Sequence, residues 1–200
     1  QALDRAGLSN PKYKIAYNLE DAKKAAREIG YPLVLKPVDL ASSAFVKLIQ
    51  TSSELQQAYH DLENFPLNFR DQERERALLI EEYICGEELS VETVSNNGEI
   101  TVVGITDKSV TGSPYFIENG HMFPAKLEED AKEKISDYVR NVLLATGYDH
   151  GIAHTEIKLT KDGPKVVEIN PRTAGNYIVE LIEYVTGVNM LKAFVSLALG

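Results

Sequence analysis

The sequence predicts an α+β fold in which largely antiparallel sheets pack on helices, and three features carry that prediction. Two tight turns join strands that must run antiparallel: Asn97-Gly98 between residues 88–94 and 100–106, and Lys161-Asp162-Gly163 between a strand through Glu156 and one over 165–170. Helices with cap signals lie between and around them. The third feature is the mixed charge run RDQERER at 70–76, which reads as a solvated connection between two lobes. At 200 residues and 44% hydrophobic, the chain is long enough for two small cores.

In chain order, residues 1–7 read as the last turns of a helix stopped by Gly7, the end of a preceding domain, so the chain is expected to be a piece of a longer protein. A short strand at 13–16 precedes a helix at 19–29, capped by Asn18 and stopped by Gly30. The strand 31–37 ends an apolar run on Lys36, which reads either as a lysine meeting an anionic partner or as one emerging at the strand's edge. The small-residue loop 39–45 suits phosphate contact through backbone N–H and hydroxyl groups, and a strand follows at 46–50. Thr51 to Glu54 is a capping box for a helix at 55–62. Strand 77–80 then leads to Gly86, which is expected to turn the chain. In the strand 88–94, Glu88, Ser90 and Glu92 alternate with apolar residues, so one face is acidic. Residues 107–124 read as a long aromatic and polar loop, a length that points to function. An amphipathic helix at 128–146, the 154–175 hairpin and helices at 177–186 and 190–199 complete the chain.

The hairpin is the richest stretch. If its turn is centred on Asp162, Glu156 lies opposite Glu168, and like charges so placed repel unless a cation lies between them. A divalent cation is one answer; a solvated strand face relieved by Lys158 and Lys165 is the other. Asn170 and Arg172 continue the side of Glu168, adding a neutral oxygen and a guanidinium suited to phosphate or carboxylate. An oxygen-only set favours Mg²⁺ or Mn²⁺ over zinc.

Composition narrows the function. A net charge of −9 without a basic run argues against a nucleic-acid surface. Cys85 is the only cysteine, which excludes an intrachain disulfide and a thiolate metal cluster. No apolar run reaches the roughly 18 residues of a membrane span, and the cytoplasm is the expected compartment.

Four separated segments, LVLKPVDLASSAFV at 33–46, LIEEYICGEELSVE at 79–92, the strand pair around Glu156 and EINPRTAG at 168–175, resemble in type and order the ATP-grasp family of carboxylate–amine ligases. The resemblance implies two α+β lobes, a small one at 11–82 and a large one at 83–200, holding ATP between them. It implies that Lys36 contacts phosphates, that Ser42 and Ser43 belong to a loop closing over them, and that Glu81 with the backbone of Glu82 and Ile84 forms the adenine hinge. Glu88, in the pattern Gly86-Glu87-Glu88, matches the ribose ligand; Glu156, Glu168 and Asn170 match Mg²⁺ ligands, and Arg172 the arginine at the transferred phosphoryl group. The segment PYFIENGHMFP resembles the branch that joins amino acids into dipeptides, which gives Glu118 and His121 a part in holding substrate; His121 also reads as a surface histidine.

The implied chemistry is activation of a carboxylate as an acyl phosphate by ATP with Mg²⁺, or Mn²⁺, followed by attack of an amine. Partners are then ATP, amino acids and the missing domains of the same protein, with a homodimer a further expectation. The sequence departs from the family's pattern where alanines, Ala41 and Ala44, flank the phosphate loop in place of glycines, and it lacks a second phosphate lysine. The competing readings are a ligase of biotin-carboxylase or purine-synthesis type and a nucleotide-binding module without catalysis.

Overall fold

The computed structural model describes all 200 residues, Gln1–Gly200. The elements run α1 (Ala2–Arg5), β1 (Tyr13–Ala16), α2 (Leu19–Ile29), β2 (Leu33–Pro37), β3 (Lys47–Ile49), α3 (Ser52–Glu63), β4 (Leu78–Glu82), β5 (Glu87–Asn96), β6 (Glu99–Thr111), β7 (Ile117–Met122), α4 (Glu129–Ala145), β8 (Gly151–Thr160), β9 (Gly163–Asn170), α5 (Ile178–Thr186) and α6 (Met190–Leu199). They form two units. The first comprises Pro11–Tyr83 with Val110–Glu118, the second Gln1–Asn10, Ile84–Ser109 and Asn119–Gly200.

The first unit is a four-stranded antiparallel sheet, ordered β1-β4-β2-β3, with α2 and α3 on one face. Asn18 caps α2 by accepting from the Asp21 N–H at 2.8 Å, and Thr51 caps α3 by accepting from the Glu54 N–H at 3.2 Å. The Glu54 carboxylate accepts from the Gln50 N–H at 2.7 Å, one residue before the cap. Ala22, Ala25 and Ala26 of α2 and Leu55 and Leu62 of α3 bury against Leu33, Leu35, Leu78 and Ile80. Each leucine or isoleucine so buried contributes about 1.5–3 kcal/mol. The alternation of β2 that sends Leu33 and Leu35 into this core sends Val34 and Lys36 to the other face.

The second unit is a five-stranded sheet ordered β7-β6-β5-β8-β9. One face packs Leu89, Val91, Ile105, Ala153 and Ile157 onto Ile135, Val139 and Leu143 of α4. The opposite face is divided. At one end Ile152 and Val94 lie under Ile178, Ile182 and Met190 of α5 and α6, and toward the other end the face becomes polar. No helix of the protein is long and apolar enough to cross a membrane.

The structure differs from the sequence expectations in two places. Residues 107–124 are a hairpin, not an irregular loop: β6 continues to Thr111, the chain turns at Gly112 (φ +87°) with the Tyr115 N–H donating to the Gly112 carbonyl at 2.7 Å, and β7 returns. Its tip is fastened within the first unit, where the Leu48 N–H of β3 donates to the Pro114 carbonyl at 2.8 Å and the Tyr83 and Phe116 rings sit 6.4 Å apart. The β8–β9 turn has two residues rather than three, because Thr160 pairs with Gly163. A bulge that leaves Val167 unpaired restores the register, so Glu156 does oppose Glu168. Gly86 stands at a bend just before β5, as expected, and it has a second role: a Cβ there would lie 2.4 Å from the Leu159 carbonyl oxygen, so the glycine also permits the close approach of β5 to β8.

Candidate functional site

The second unit's polar face is built by register. Thr106, Ser90, Glu156 and Glu168 form one row across β6, β5, β8 and β9, and Gly104, Glu92, His154 and Asn170 form the next. A third row pairs Glu88 with Lys158 and Lys158 with Lys165, and Lys108 reaches Glu88 from β6. Side chains two apart on a strand share a face, so a strand pattern alone assembles these groups.

Their contacts form one charged network. Lys108, buried at 4% exposure, places its Nζ 3.0 Å from Glu156 Oε1 and 3.7 Å from Glu88 Oε1. Lys158 Nζ lies 3.3 Å from Glu88 Oε2. His154 is held between two carboxylates, with Nδ1 2.7 Å from Glu92 Oε1 and Nε2 3.2 Å from Glu156 Oε1. Ser90 Oγ donates to Glu92 Oε1 at 2.9 Å. For His154, burial pushes the imidazole's pKa down, but the hydrogen bonds to Glu156 and Glu92 outweigh it and hold the value up at about 9. For Glu156, burial pushes up, while the His154 hydrogen bond and the Lys108 charge outweigh it and hold the carboxyl at about 2. Glu156 is therefore ionised, with both close cations on Oε1 and no hydrogen bond on Oε2.

The first unit carries a smaller cluster. Glu81 pairs with Val34 across β4 and β2, which sets its carboxylate on the face of Lys36, and Lys36 Nζ meets Glu81 Oε2 at 2.5 Å. Both side chains are mostly buried. Glu82 spends its N–H on the Lys12 carbonyl at 2.8 Å and accepts the Lys12 N–H on its carboxylate at 3.2 Å. Of its backbone groups, only the carbonyl remains for a ligand.

Residues 29–180 match the ATP-grasp domain. The chain belongs to the ATP-grasp family. It is 32% identical over 207 residues to the alanine–anticapsin ligase of Bacillus amyloliquefaciens, covering 96% of this chain and 43% of that protein. The L-amino acid ligase of Bacillus licheniformis has a TM-score of 0.80 at 28% identity, over 97% of this chain and 44% of that one. The biotin carboxylase domain of the Hydrogenobacter thermophilus 2-oxoglutarate carboxylase, solved with MgADP and bicarbonate, has a TM-score of 0.82 at 22% identity over 100% of this chain and 44% of that one, a likeness of fold alone. The chain spans less than half the length of these relatives.

An ATP-grasp ligase calls for a divalent cation, and the residues present fit one. Glu168 is exposed and without an ion pair, Glu156 keeps Oε2 free, and the half-buried Asn170 offers its side-chain oxygen Oδ1, while its buried Nδ2, an N–H group that cannot ligate a cation, has no partner in the chain. All the donors are oxygens, as Mg²⁺ requires.

The other expected residues are placed as follows. Arg172 is exposed just beyond β9, with its N–H donating to the Asn170 carbonyl and Nη1 to the Thr173 carbonyl, both at 2.8 Å. Ser42 and Ser43 are exposed, and with Phe45 they hold φ near +56°, the left-handed region that glycine adopts without cost. Ile84 is buried as the first residue of its stretch of the second unit. Glu118 and His121 both lie on β7, half-buried, the former in the first unit and the latter in the second. The sequence assigns no functional role to His154 or Lys108 and reads Glu92 only as part of an acidic face. The signal was available: His154 lies two residues before Glu156 on one strand, and Glu92 two beyond Ser90 on its neighbour.

Proposed function

We propose that the protein is an ATP- and Mg²⁺-dependent ligase that activates one amino acid's carboxylate as an acyl phosphate and joins it to the amine of another. The observation that carries this reading is the opposed pair Glu156 and Glu168 with Asn170 in the adjoining row, on a chain related to amino-acid ligases. In the first step a carboxylate oxygen attacks the γ-phosphorus and ADP leaves. In the second the amine nitrogen attacks the acyl carbon, loses a proton, and phosphate leaves. No nucleophilic side chain is required, so the protein's work is positioning and charge stabilisation.

Lys36, steadied by Glu81, is a fixed cation for the phosphates, and Arg172 supplies a guanidinium fork for the transferred group and the acyl phosphate. Ser42 and Ser43 offer N–H and hydroxyl donors. The hinge of Glu81, Glu82 and Ile84 takes the adenine and Glu88 the ribose. Mg²⁺ held by Glu156, Glu168 and Asn170, or Mn²⁺ in its place, would neutralise the crowded oxygens as a Lewis acid. Glu118 and His121 contribute to the amino-acid site. An amino acid as the activated carboxylate is favoured over bicarbonate because the bicarbonate-bound neighbour shares only the fold.

The test is a screen of the full-length protein with Mg-ATP and pairs of amino acids, reading phosphate release and product mass. Amino-acid-dependent turnover is expected, and Glu168→Gln is expected to abolish it. Equal turnover in that variant would sink the metal assignment, and bicarbonate-dependent turnover without an amino acid would select the other branch.

A further inference from the structure

We propose that Glu92 and His154 form a positioning relay that fixes the Glu156 carboxylate for its divalent cation. The inference rests on the reading of Glu156 as a metal ligand and goes beyond it to two residues that the chemistry above does not use.

Glu92 is fully buried in the middle of β5, and His154 is 4% exposed on the neighbouring strand. A buried ion pair adds little stability over apolar residues of the same size, so folding alone does not account for it. The geometry does. Each ring nitrogen of His154 faces a carboxylate oxygen, so each donates, one to Glu92 and one to Glu156. Glu92 is itself anchored by the Ser90 hydroxyl at 2.9 Å. The chain Ser90, Glu92, His154, Glu156 thus runs across adjacent positions of two paired strands, where register leaves it no freedom.

The relay ends on Oε1 of Glu156, the oxygen that Lys108 also grips at 3.0 Å. Two donors on one oxygen fix the plane of the carboxylate and leave Oε2 as its outward ligand atom. The same row continues to Asn170, a second proposed ligand, which pairs with His154 across β8 and β9. Groups that hold metal ligands in this way typically set affinity by 10–100-fold.

The relay is tested on the full-length protein with Mn²⁺ as probe, titrated at saturating ADP, with free Mn²⁺ read by electron paramagnetic resonance. The double variant Glu92→Leu/His154→Phe replaces the buried pair with apolar groups. It is expected to unfold at the same or a higher denaturant midpoint, yet to bind Mn²⁺ about 10–100-fold more weakly. In turnover, the Mg²⁺ concentration for half-maximal rate should rise while the rate at saturating Mg²⁺ falls far less. Glu92→Gln, which keeps an acceptor for His154 but removes the charge, should recover part of the affinity and serves if the double variant does not fold. Mn²⁺ affinity within twofold of wild type in either folded variant overturns the relay. Glu156→Gln separates the two ideas: if it alone weakens Mn²⁺ binding, the relay fails and the metal site stands, and if it also leaves binding unchanged, the metal reading falls and the relay with it.

Discussion

Replacing Gly86 with alanine adds one methyl group at a place where nothing can move aside. The new Cβ would lie 2.4 Å from the oxygen and 2.8 Å from the carbon of the Leu159 carbonyl, and 3.3 Å from the Thr160 nitrogen. Ordinary contact begins at 3.4 Å, so β5 and β8 must part by about 1 Å. All three atoms are backbone, and no rotamer change relieves the clash. Overpacking costs about 1–3 kcal/mol where side chains can adjust, and here the cost falls at the top of that range, about 3 kcal/mol. For a chain of this length that corresponds to a melting point lowered by roughly 6–12 °C. Thermal unfolding followed by circular dichroism reads it directly. Gly98→Ala is the control: Gly98 sits at φ +86° with open space around it, so only conformational strain of about 1 kcal/mol applies. Equal losses in the two variants would refute the close-approach argument. Because Glu88 lies two residues beyond Gly86 and pairs with Lys158, Gly86→Ala should also shift the row that holds Glu88.

Three further outcomes are expected. Lys108→Met removes the cation that Glu156 and Glu88 share, and leaving those mostly buried carboxylates with only His154 and Lys158 as partners should cost about 1–3 kcal/mol in urea unfolding; a loss under 0.5 kcal/mol would mean that water already screens them. Glu168→Gln lies on an exposed side chain without an ion pair, so stability should stay within about 0.5 kcal/mol while turnover is lost, a contrast that paired unfolding and activity measurements check. In metal-free protein, His154 with its pKa raised from 6.5 to about 9 contributes stability fully below pH 6.5 and loses it as pH rises through 9, whereas Glu156, lowered to about 2, contributes above pH 4.5 and loses it as pH falls. The His154 contribution is on the order of 3 kcal/mol, and a urea midpoint equal at pH 6 and pH 9.5 would contradict it.

The sequence revealed the opposition of Glu156 and Glu168 because period-two alternation and a glycine-containing turn are local properties. The route to it was not legible: a two-residue turn and the bulge at Val167 give the same pairing that a three-residue loop would, and nothing in the residue string separates the two. The hairpin at 107–124 was hidden for a different reason. Gly112, Pro114, Asn119 and Gly120 all signal turns, yet Asn119 and Gly120 lie within β7, where pairing to β6 overrides their local preference. His154 and Glu92 were missed because burial of a charged pair depends on which strand lies beside which, and the contact spans 62 residues of sequence. Lys36 and Glu81, 45 residues apart, were both recognised by motif, but their meeting depended on the antiparallel pairing of β2 with β4.

The hairpin tip at Val110–Glu118 has a consequence for anyone who would take this protein apart. Neither unit is a continuous stretch of polypeptide, for the chain passes from one to the other at residues 10, 83, 109 and 118. A fragment cut at Tyr83 would therefore lack the tip, and the Leu48 N–H at the rim of its sheet would lose the carbonyl that caps it. Excision of residues 112–116, between the end of β6 and the start of β7, would leave every strand of both sheets present in length and still bare that rim, making an open edge available for another chain to pair with.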